Sequence, residues 1–242
     1  NSSTLGGGAI HSARTSIIST SSFTSNSTGE DGGGAILSWS DLAIENSTFD
    51  SNNANGFAAS GGAISHINGN VHISHSELLN NTAYGGGAIA IGYPYFPDAV
   101  PTASISNTRI SDNQADAGGG ILLVAGEAKI TNSTISGNSS GTAGGVFNFP
   151  QGTLEIVSST INNNSSTGTD GYASYLGAIL SNGKSTIINS TVADNSGSGI
   201  ESSGETIIIN STVAGNEGYG IVHKEDDLHF INSIIANNGI DC

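Results

Sequence analysis

The sequence is poor in positive charge. Its 242 residues include only 5 Lys and Arg against 20 Asp and Glu, which gives a formal net charge of −15 with neutral histidines. Nucleic-acid grooves and surfaces that bind anionic membranes neutralise phosphates with clusters of Lys and Arg, so both classes are excluded. We therefore predict no nucleic-acid partner.

Cysteine, methionine and long apolar segments are also scarce or missing. The one cysteine, Cys242, is the last residue and cannot form a disulfide within the chain. Because the sequence contains no methionine, we expect that residue 1 is not the start of translation. No apolar run approaches the roughly 20 residues of a transmembrane helix, so we predict no direct membrane insertion.

Glycine, serine and asparagine are abundant instead. They number 35, 38 and 26, or 99 of the 242 residues. Such a composition is typical of disordered segments, and the residues that favour helices are few. However, 36% of the residues are apolar, which is enough for a core if the apolar positions recur regularly.

The apolar positions do recur, in nine repeats of 21 to 33 residues that each contain three apolar anchors. The box anchor follows a glycine-rich box, Gly-Gly-Ala-Ile in its full form, and is Ile10, Ile36, Ile64, Ile89, Ile121, Val146, Ile179, Ile200 or Ile221. The middle anchor is Ile18, Ile44, Ile73, Ile105, Ile130, Ile156, Ile187, Ile208 or Phe230. The last anchor lies five residues later and is Phe23, Phe49, Leu78, Ile110, Ile135, Ile161, Val192, Val213 or Ile235. An asparagine follows it by three residues in every repeat: Asn26, Asn52, Asn81, Asn113, Asn138, Asn164, Asn195, Asn216 and Asn238.

Three short apolar pieces per repeat predict a three-sided parallel β-helix of about nine rungs, because a piece of three to five residues buries its face only by stacking on its neighbours. At the strand spacing of a sheet, nine rungs make a rod of roughly 43 Å. Residues 1–242 are then a single all-β domain. Neither end shows a capping helix, so we expect the chain to be a segment of a longer chain or of a fibre.

The polar residues around the last anchor indicate how the chain turns. In six repeats an asparagine lies three positions before that anchor, where it would suit a left-handed bend and stack on its neighbours through hydrogen bonds. The next position is Ser or Thr in all nine repeats. By strand alternation this hydroxyl points inward, where it can bond to nearby backbone.

The Gly-Gly-Ala-Ile boxes and the Phe-x-x-Asn motifs at Phe23 and Phe49 resemble the repeats of chlamydial polymorphic membrane proteins. Those proteins are surface adhesins with right-handed parallel β-helix passenger regions. Similar repeats occur in secreted bacterial proteins of the pectate-lyase-like superfamily, whose sequences the segment from Ser233 to Cys242 also resembles. The resemblance covers nearly the whole chain and implies a right-handed helix at the cell surface or in the secreted fraction.

Two insertions indicate where a ligand could bind. The fourth repeat is lengthened by residues 93–101, which hold three of the four prolines together with Tyr93, Tyr95 and Phe96. Residues 165–176 carry Tyr172 and Tyr175. These aromatic side chains are candidates for stacking on a polysaccharide or contacting a host protein. The alternative interpretation is that they fold back over the rod as local caps.

A set of catalytic residues is not recognisable in the sequence. The longest run of adjacent acids is Glu225, Asp226 and Asp227, which suits a solvated turn, and no string of the polygalacturonase type occurs. His66, His72 and His75 fall in one repeat, but surface positions explain them as well as a metal site does. We predict no metal and no cofactor, apart from weak Ca²⁺ binding at Asp112 and Asp116.

The outward position four residues before the last anchor becomes apolar in the last four repeats, at Val157, Ile188, Ile209 and Ile231. Such a stripe is typical of a covered surface, so we predict that a downstream segment or another copy of the chain packs there. A row of outward threonines just before the last anchor resembles ice-binding solenoids, although threonine favours strands in general.

These observations predict an extracellular structural or adhesive module that serves as stalk, passenger or filament segment and presents loops for glycan or protein binding. The alternative is a polysaccharide lyase or glycoside hydrolase of the pectate-lyase-like superfamily.

Overall fold

The computed structural model is a parallel β-solenoid in which each repeat forms one rung. It describes residues 1–29, 32–56, 60–96, 98–168 and 177–241. Rungs are numbered one to nine after their box anchors, Ile10 to Ile221. Every strand pairing among the described residues is parallel, and none of the described residues forms a helix that could cross a membrane.

The strands form four ladders along the rod. The box ladder comprises Ile10–Ser12, Ile36–Ser38, Ile64–His66, Ile89–Ile91, Gly177–Ser181, Ser198–Ser202 and Ile221–His223. The middle ladder comprises Ser16–Ser19, Leu42–Glu45, Asn70–Ser74, Thr102–Ser106, Lys184–Ile188, Thr206–Ile209 and Leu228–Ile231. Two longer strands, Ile121–Thr131 and Ala143–Val157, run through both ladders and join them into one sheet.

The other two ladders are separate sheets. The last ladder comprises Ser22–Thr24, Thr48–Asp50, Glu77–Leu79, Arg109–Ser111, Thr134–Ser136, Thr160–Asn162, Thr191–Ala193, Thr212–Ala214 and Ile234–Ala236. A short ladder of two-residue strands, which the sequence analysis did not separate, comprises Ser2–Ser3, Ser27–Thr28, Asn53–Ala54, Thr82–Ala83, Gln114–Ala115, Ser139–Ser140 and Ser165–Ser166.

The register confirms all three anchor series of the sequence analysis. Ile10 pairs with Ile36, and the box anchors continue in register to Ile221. The middle and last anchors align in the same way, each with its own series. Apart from Phe230 and Ile235 of rung nine, they form one continuous apolar core inside the rod. The apolar side chains of each rung are therefore buried by the rungs above and below it, because a single rung is too thin to bury them alone.

The asparagines that follow the last anchors form a buried hydrogen-bonded ladder, hereafter the asparagine ladder. The Oδ1 of each accepts the backbone N–H and the side-chain Nδ2 of the asparagine in the preceding rung, at 2.8–3.2 Å. At one end of the ladder, the amino terminus and the Nδ2 of Asn1 donate to Asn26 Oδ1. At the other end, Asp241 Oδ1 accepts the backbone N–H and the Nδ2 of Asn238. The backbone and side-chain bonds from Asn238 hold the pKa of the Asp241 carboxyl below its ordinary value.

This position corrects the sequence analysis, which expected the stacked asparagines at the bend before the last anchor. The bend asparagines, such as Asn46 and Asn132, are exposed. Asn232 Nδ2 does donate to Asn210 Oδ1 at 2.7 Å, but this pair is also exposed. The continuous ladder is instead the buried series, because buried amides must satisfy their polar groups within the protein.

The inward hydroxyls bond to nearby backbone, as predicted, and they also form a second ladder. Each donates to the carbonyl oxygen two residues earlier, as Ser133 Oγ does to Thr131 O at 2.8 Å. Most also accept the backbone N–H of the equivalent hydroxyl residue in the preceding rung, as Ser159 Oγ does from Ser133 N at 3.1 Å. These hydroxyls therefore satisfy backbone groups at a corner where the strands end.

The predicted left-handed bend is present in all nine rungs, three residues before the last anchor. Six rungs carry asparagine there, and the exceptions are Thr20 with φ 47°, His75 with φ 49° and Ser158 with φ 50°. A second left-handed position, two residues after the last anchor, was not foreseen; examples are Ser51 and Asn80. Each rung therefore turns sharply on both sides of its last strand.

Thr20→Asn is expected to stabilise the protein by about 1 kcal/mol. A β-branched residue in the left-handed region is strained, whereas asparagine adopts this conformation readily and does so in the neighbouring rung at Asn46. The measurement is the midpoint of thermal or denaturant unfolding. Thr24→Asn is the matched control, because Thr24 is an exposed strand residue, and there we expect no gain. Equal effects of the two substitutions would contradict the strain argument.

Candidate functional site

The outward side of the box ladder is covered rather than solvated. Its outward residues align from Leu37 through Leu122 and Phe147 to Leu180, and all of these are at least nine-tenths buried. Tyr93 and Phe149 pack against the cluster that Leu122, Phe147 and Leu180 form. This face of the rod therefore carries a second, smaller apolar cluster outside the core.

The aromatic insertion of rung four lies over this face as a turn. Phe96 N donates to Tyr93 O at 3.1 Å, and Ala99 N donates to Phe96 O at 3.0 Å. Tyr93 is half-buried, while Tyr95 and Phe96 remain 73% and 43% exposed. The insertion therefore combines an anchored ring with two rings that face solvent.

A groove forms where this turn meets the side chain of Trp39. The Trp39 and Phe96 rings meet edge to face with centroids 5.1 Å apart. The centroid of the Tyr93 ring lies 5.6 Å from that of Tyr95 and 5.6 Å from that of Phe96. Ile67 of rung three contributes to its wall. We call the surface made by these five residues the aromatic groove.

The aromatic groove contains two adjoining depressions of similar size. Trp39, Ile67, Tyr95 and Phe96 line both of them. The apolar depression, of about 310 Å³, is completed by Gly32, Leu37, Ser65 and Tyr93. The polar depression, of about 320 Å³, is completed by Asn68, Asp98 and Ala99.

The structure thus brings together Tyr93, Tyr95 and Phe96, three of the five predicted ligand-binding residues. The other two, Tyr172 and Tyr175, lie outside the described residues. Trp39 was missed, although it is the only tryptophan of the chain and is 36% exposed. A large aromatic residue in a serine-rich corner could have indicated Trp39 as a candidate for ligand binding.

The three histidines of rung three do not converge. His72 and His75 are exposed, whereas His66 lies inside the rod with Nε2 3.1 Å from the carbonyl oxygen of Gly69. Burial lowers the pKa of His66 below its ordinary value, although the Gly69 carbonyl and Asp41 act in the opposite direction. His66 is therefore neutral in the folded protein, and its protonation at acidic pH opposes folding.

No group of three or more His, Cys, Asp or Glu side chains that could hold a metal occurs within the described ranges. Asp112 lies 3.8 Å from Arg109 as an exposed ion pair, and Asp116 is exposed. Weak Ca²⁺ binding at these two acids stays a prediction.

Most of the basic residues are paired with acids away from the aromatic groove. Lys129 contacts Glu155 at 3.0 Å, Lys184 contacts Glu205 at 2.9 Å, and Lys224 pairs with Glu201. Together with Arg109, these are four of the five Lys and Arg residues. The described lining of the groove contains one charged side chain, Asp98.

The predicted apolar stripe is aligned along the middle ladder. Val157 pairs with Ile188, Ile188 with Ile209, and Ile209 with Ile231. The first three are half-buried, and Ile231 is 51% exposed. Packing of a further segment or another copy on this stripe stays a prediction.

Comparison with protein families identifies the fold. A model of the right-handed beta helix region matches residues 119–242, slightly more than half of the chain. The chain belongs to the right-handed β-helix family. Neither curated proteins nor solved structures gave a match.

The matched part of this β-helix begins at the fifth rung, whereas the aromatic groove lies on rungs two to four. The ladders nevertheless continue in register across that boundary, as Ile89 pairs with Ile121. The groove is therefore a local addition to a regular β-helix.

Proposed function

We propose that the protein is an extracellular structural module, secreted or displayed at the cell surface, that binds polysaccharide through the aromatic groove. The observation that carries this proposal is the exposed set of Trp39, Tyr95 and Phe96 rings on a rigid rod. The right-handed β-helix supplies the rod. The resemblance of the Gly-Gly-Ala-Ile and Phe-x-x-Asn repeats to chlamydial surface adhesins supports the location.

Polysaccharide suits this groove for two physical reasons. Pyranose rings present apolar C–H faces, which exposed aromatic rings can cover, and hydroxyl edges, which amide and carboxylate oxygens can bind. In the aromatic groove the rings of Tyr95 and Phe96 provide the first kind of contact, and Asn68 and Asp98 provide the second. Contiguous exposed aromatic surface of this kind is uncommon unless a ligand covers it.

Binding without cleavage is favoured over hydrolysis by the carboxylates of the groove. Glycoside hydrolases generally place two carboxyl groups about 5–10 Å apart around the scissile bond. Within the described lining of the groove, Asp98 is the one carboxylate. The hydrolase alternative therefore lacks a supporting observation at this site, and so does the lyase alternative, because no Lys or Arg that could act as a base is among the described lining residues.

Tyr95→Ala is expected to weaken polysaccharide binding by about ten-fold or more without lowering the unfolding temperature. Tyr95 is the most exposed ring of the groove, so its removal takes away ligand contact rather than core packing. Binding partners are found first on an array of neutral and acidic polysaccharides, and affinities are then measured by calorimetry.

Tyr219→Ala is the matched control, because Tyr219 is 44% exposed but belongs to rung nine. It should bind as the unaltered protein does. Equal affinities for the Tyr95→Ala and unaltered proteins, or no binding to any polysaccharide on the array, would contradict the proposal.

A further inference from the structure

The two depressions of the aromatic groove differ in chemistry although they are nearly equal in volume. Leu37 and Tyr93 complete the apolar depression, so it offers mainly stacking and apolar contact. Asn68 and Asp98 complete the polar depression, so it offers hydrogen-bonding groups beside the shared rings. Each volume lies near the lower limit of ligand pockets, about 300 Å³, which is too small for a long oligosaccharide in one depression.

The shared wall makes the two depressions a continuous path. Trp39, Tyr95 and Phe96 contact both volumes, so a ligand that fills one depression touches the rings that begin the next. A chain of linked units that repeats the same shape fits such a pair better than a single compact ligand does. The geometry therefore suits at least two consecutive sugar units.

The charge of the surroundings distinguishes between classes of saccharide. Among the described residues that line the groove, the one charged side chain is the Asp98 carboxylate, and the whole chain carries a net charge of −15. Arg109, Lys129 and Lys184 are engaged in ion pairs and do not line the groove. A uronate polymer would thus bring carboxylates next to a carboxylate, and no Lys or Arg is among the described residues that line the groove.

We propose that the aromatic groove is a two-subsite groove for an uncharged saccharide of at least two units and that it discriminates against polyuronates through Asp98. This inference rests on the proposed function and specifies its ligand class. One unit stacks in the apolar depression, and the hydroxyls of the next bind Asn68 and Asp98 in the polar depression.

The test compares neutral hexasaccharides of glucan, xylan and mannan type with oligogalacturonate of the same length, by calorimetry at low and at physiological salt. For the best neutral ligand we expect at least a ten-fold preference over oligogalacturonate at low salt, decreasing as salt screens the repulsion. Its affinity should rise by about ten-fold or more from monosaccharide to disaccharide, since the disaccharide occupies both subsites.

Asp98→Asn tests the discrimination itself, because it removes the charge and keeps the shape. We expect it to lower the preference for the neutral ligand several-fold. Glu225→Gln is the matched control, as it removes one exposed negative charge in rung nine. That variant should keep the full preference.

The outcomes separate this inference from the proposed function. Oligogalacturonate binding as tightly as the neutral ligands, or a preference unchanged in Asp98→Asn, would overturn the discrimination while polysaccharide binding stands. Equal affinities for monosaccharide and disaccharide would overturn the two subsites. Binding of none of these saccharides would overturn both proposals.

Discussion

Replacing Asn138 by alanine is expected to lower the free energy of unfolding by about 3–5 kcal/mol. Its Oδ1 accepts the backbone N–H of Asn113 at 3.0 Å and the Asn113 Nδ2 at 2.8 Å. Its Nδ2 donates to Asn164 Oδ1 at 2.9 Å and to Ile110 O at 3.0 Å. Asn138 is fully buried, so the donors of Asn113 would lose their acceptor where water does not replace it. Each such buried unsatisfied group costs about 1–3 kcal/mol.

Asn138→Asp extends the argument to pH. The introduced carboxyl keeps one acceptor oxygen for Asn113 but directs its second oxygen at Ile110 O and Asn164 Oδ1, which are both acceptors. Burial and these contacts raise the pKa of the introduced group in the folded state above its unfolded value. The folded state then binds the proton more tightly. Stability is therefore greatest below the unfolded pKa and falls as pH rises through the folded pKa.

The measurements are denaturant unfolding curves of both variants, at neutral and acidic pH for Asn138→Asp. Asn1→Ala is the matched control, since Asn1 belongs to the same asparagine ladder but its side chain makes a single hydrogen bond, to Asn26 at the end of the ladder. Its cost should stay below about 1 kcal/mol. A loss at Asn138 no larger than that at Asn1, or a pH dependence of opposite sign in Asn138→Asp, would show that the buried ladder does not stabilise the rod.

The sequence alone was sufficient to predict the rungs, because stacking imposes the same rule on each of them. A residue that faces the core in one rung must pair with an equivalent residue in the next, so Ile44, Ile73 and Ile105 repeat at the positions that the register later confirmed. A register error of one residue would turn an anchor outward. The variable loop lengths between anchors did not obscure this pattern.

The asparagines show where such reasoning is incomplete. Both the bend position and the position after the last anchor repeat asparagine, and both have a physical reason to do so. The bend needs a residue that tolerates positive φ, as at Asn189 with φ 50°. Only burial decides which series forms the continuous hydrogen-bonded ladder, and burial depends on how the corner folds.

The aromatic groove was only half predictable. The unusual length of rung four indicated Tyr93, Tyr95 and Phe96, but Trp39 lies 54 residues before Tyr93 in a rung of ordinary length. Rungs two and four are separated by only two strand spacings, roughly 10 Å, so a long side chain from one can reach the other. That proximity comes from stacking together with the direction of each corner side chain, which the repeat pattern does not specify.

The second large effect is expected in the glycine boxes. Replacing Gly62 by alanine should lower the free energy of unfolding by at least about 3 kcal/mol. A Cβ at Gly62 would lie 1.9 Å from Gly87 O in the box of rung four and 2.7 Å from Thr82 N in the short strand that leads to that box, and both are backbone atoms. Neither atom can move aside by changing a rotamer, so two rungs would have to separate along the whole corner. The same contact recurs at Gly34, whose Cβ would lie 2.0 Å from Gly62 O.

A graded series makes this expectation measurable even if Gly62→Ala fails to fold. A Cβ at Gly85 would lie 2.7 Å from Ser60 O, whereas at Gly29 the nearest atom, Thr4 O, is 3.7 Å away. Unfolding midpoints and soluble yields should therefore decrease from Gly29→Ala, which is nearly neutral, through Gly85→Ala to Gly62→Ala. Close approach between rungs predicts only this order of stabilities. A different order would mean that the glycines are required for another reason, such as backbone freedom.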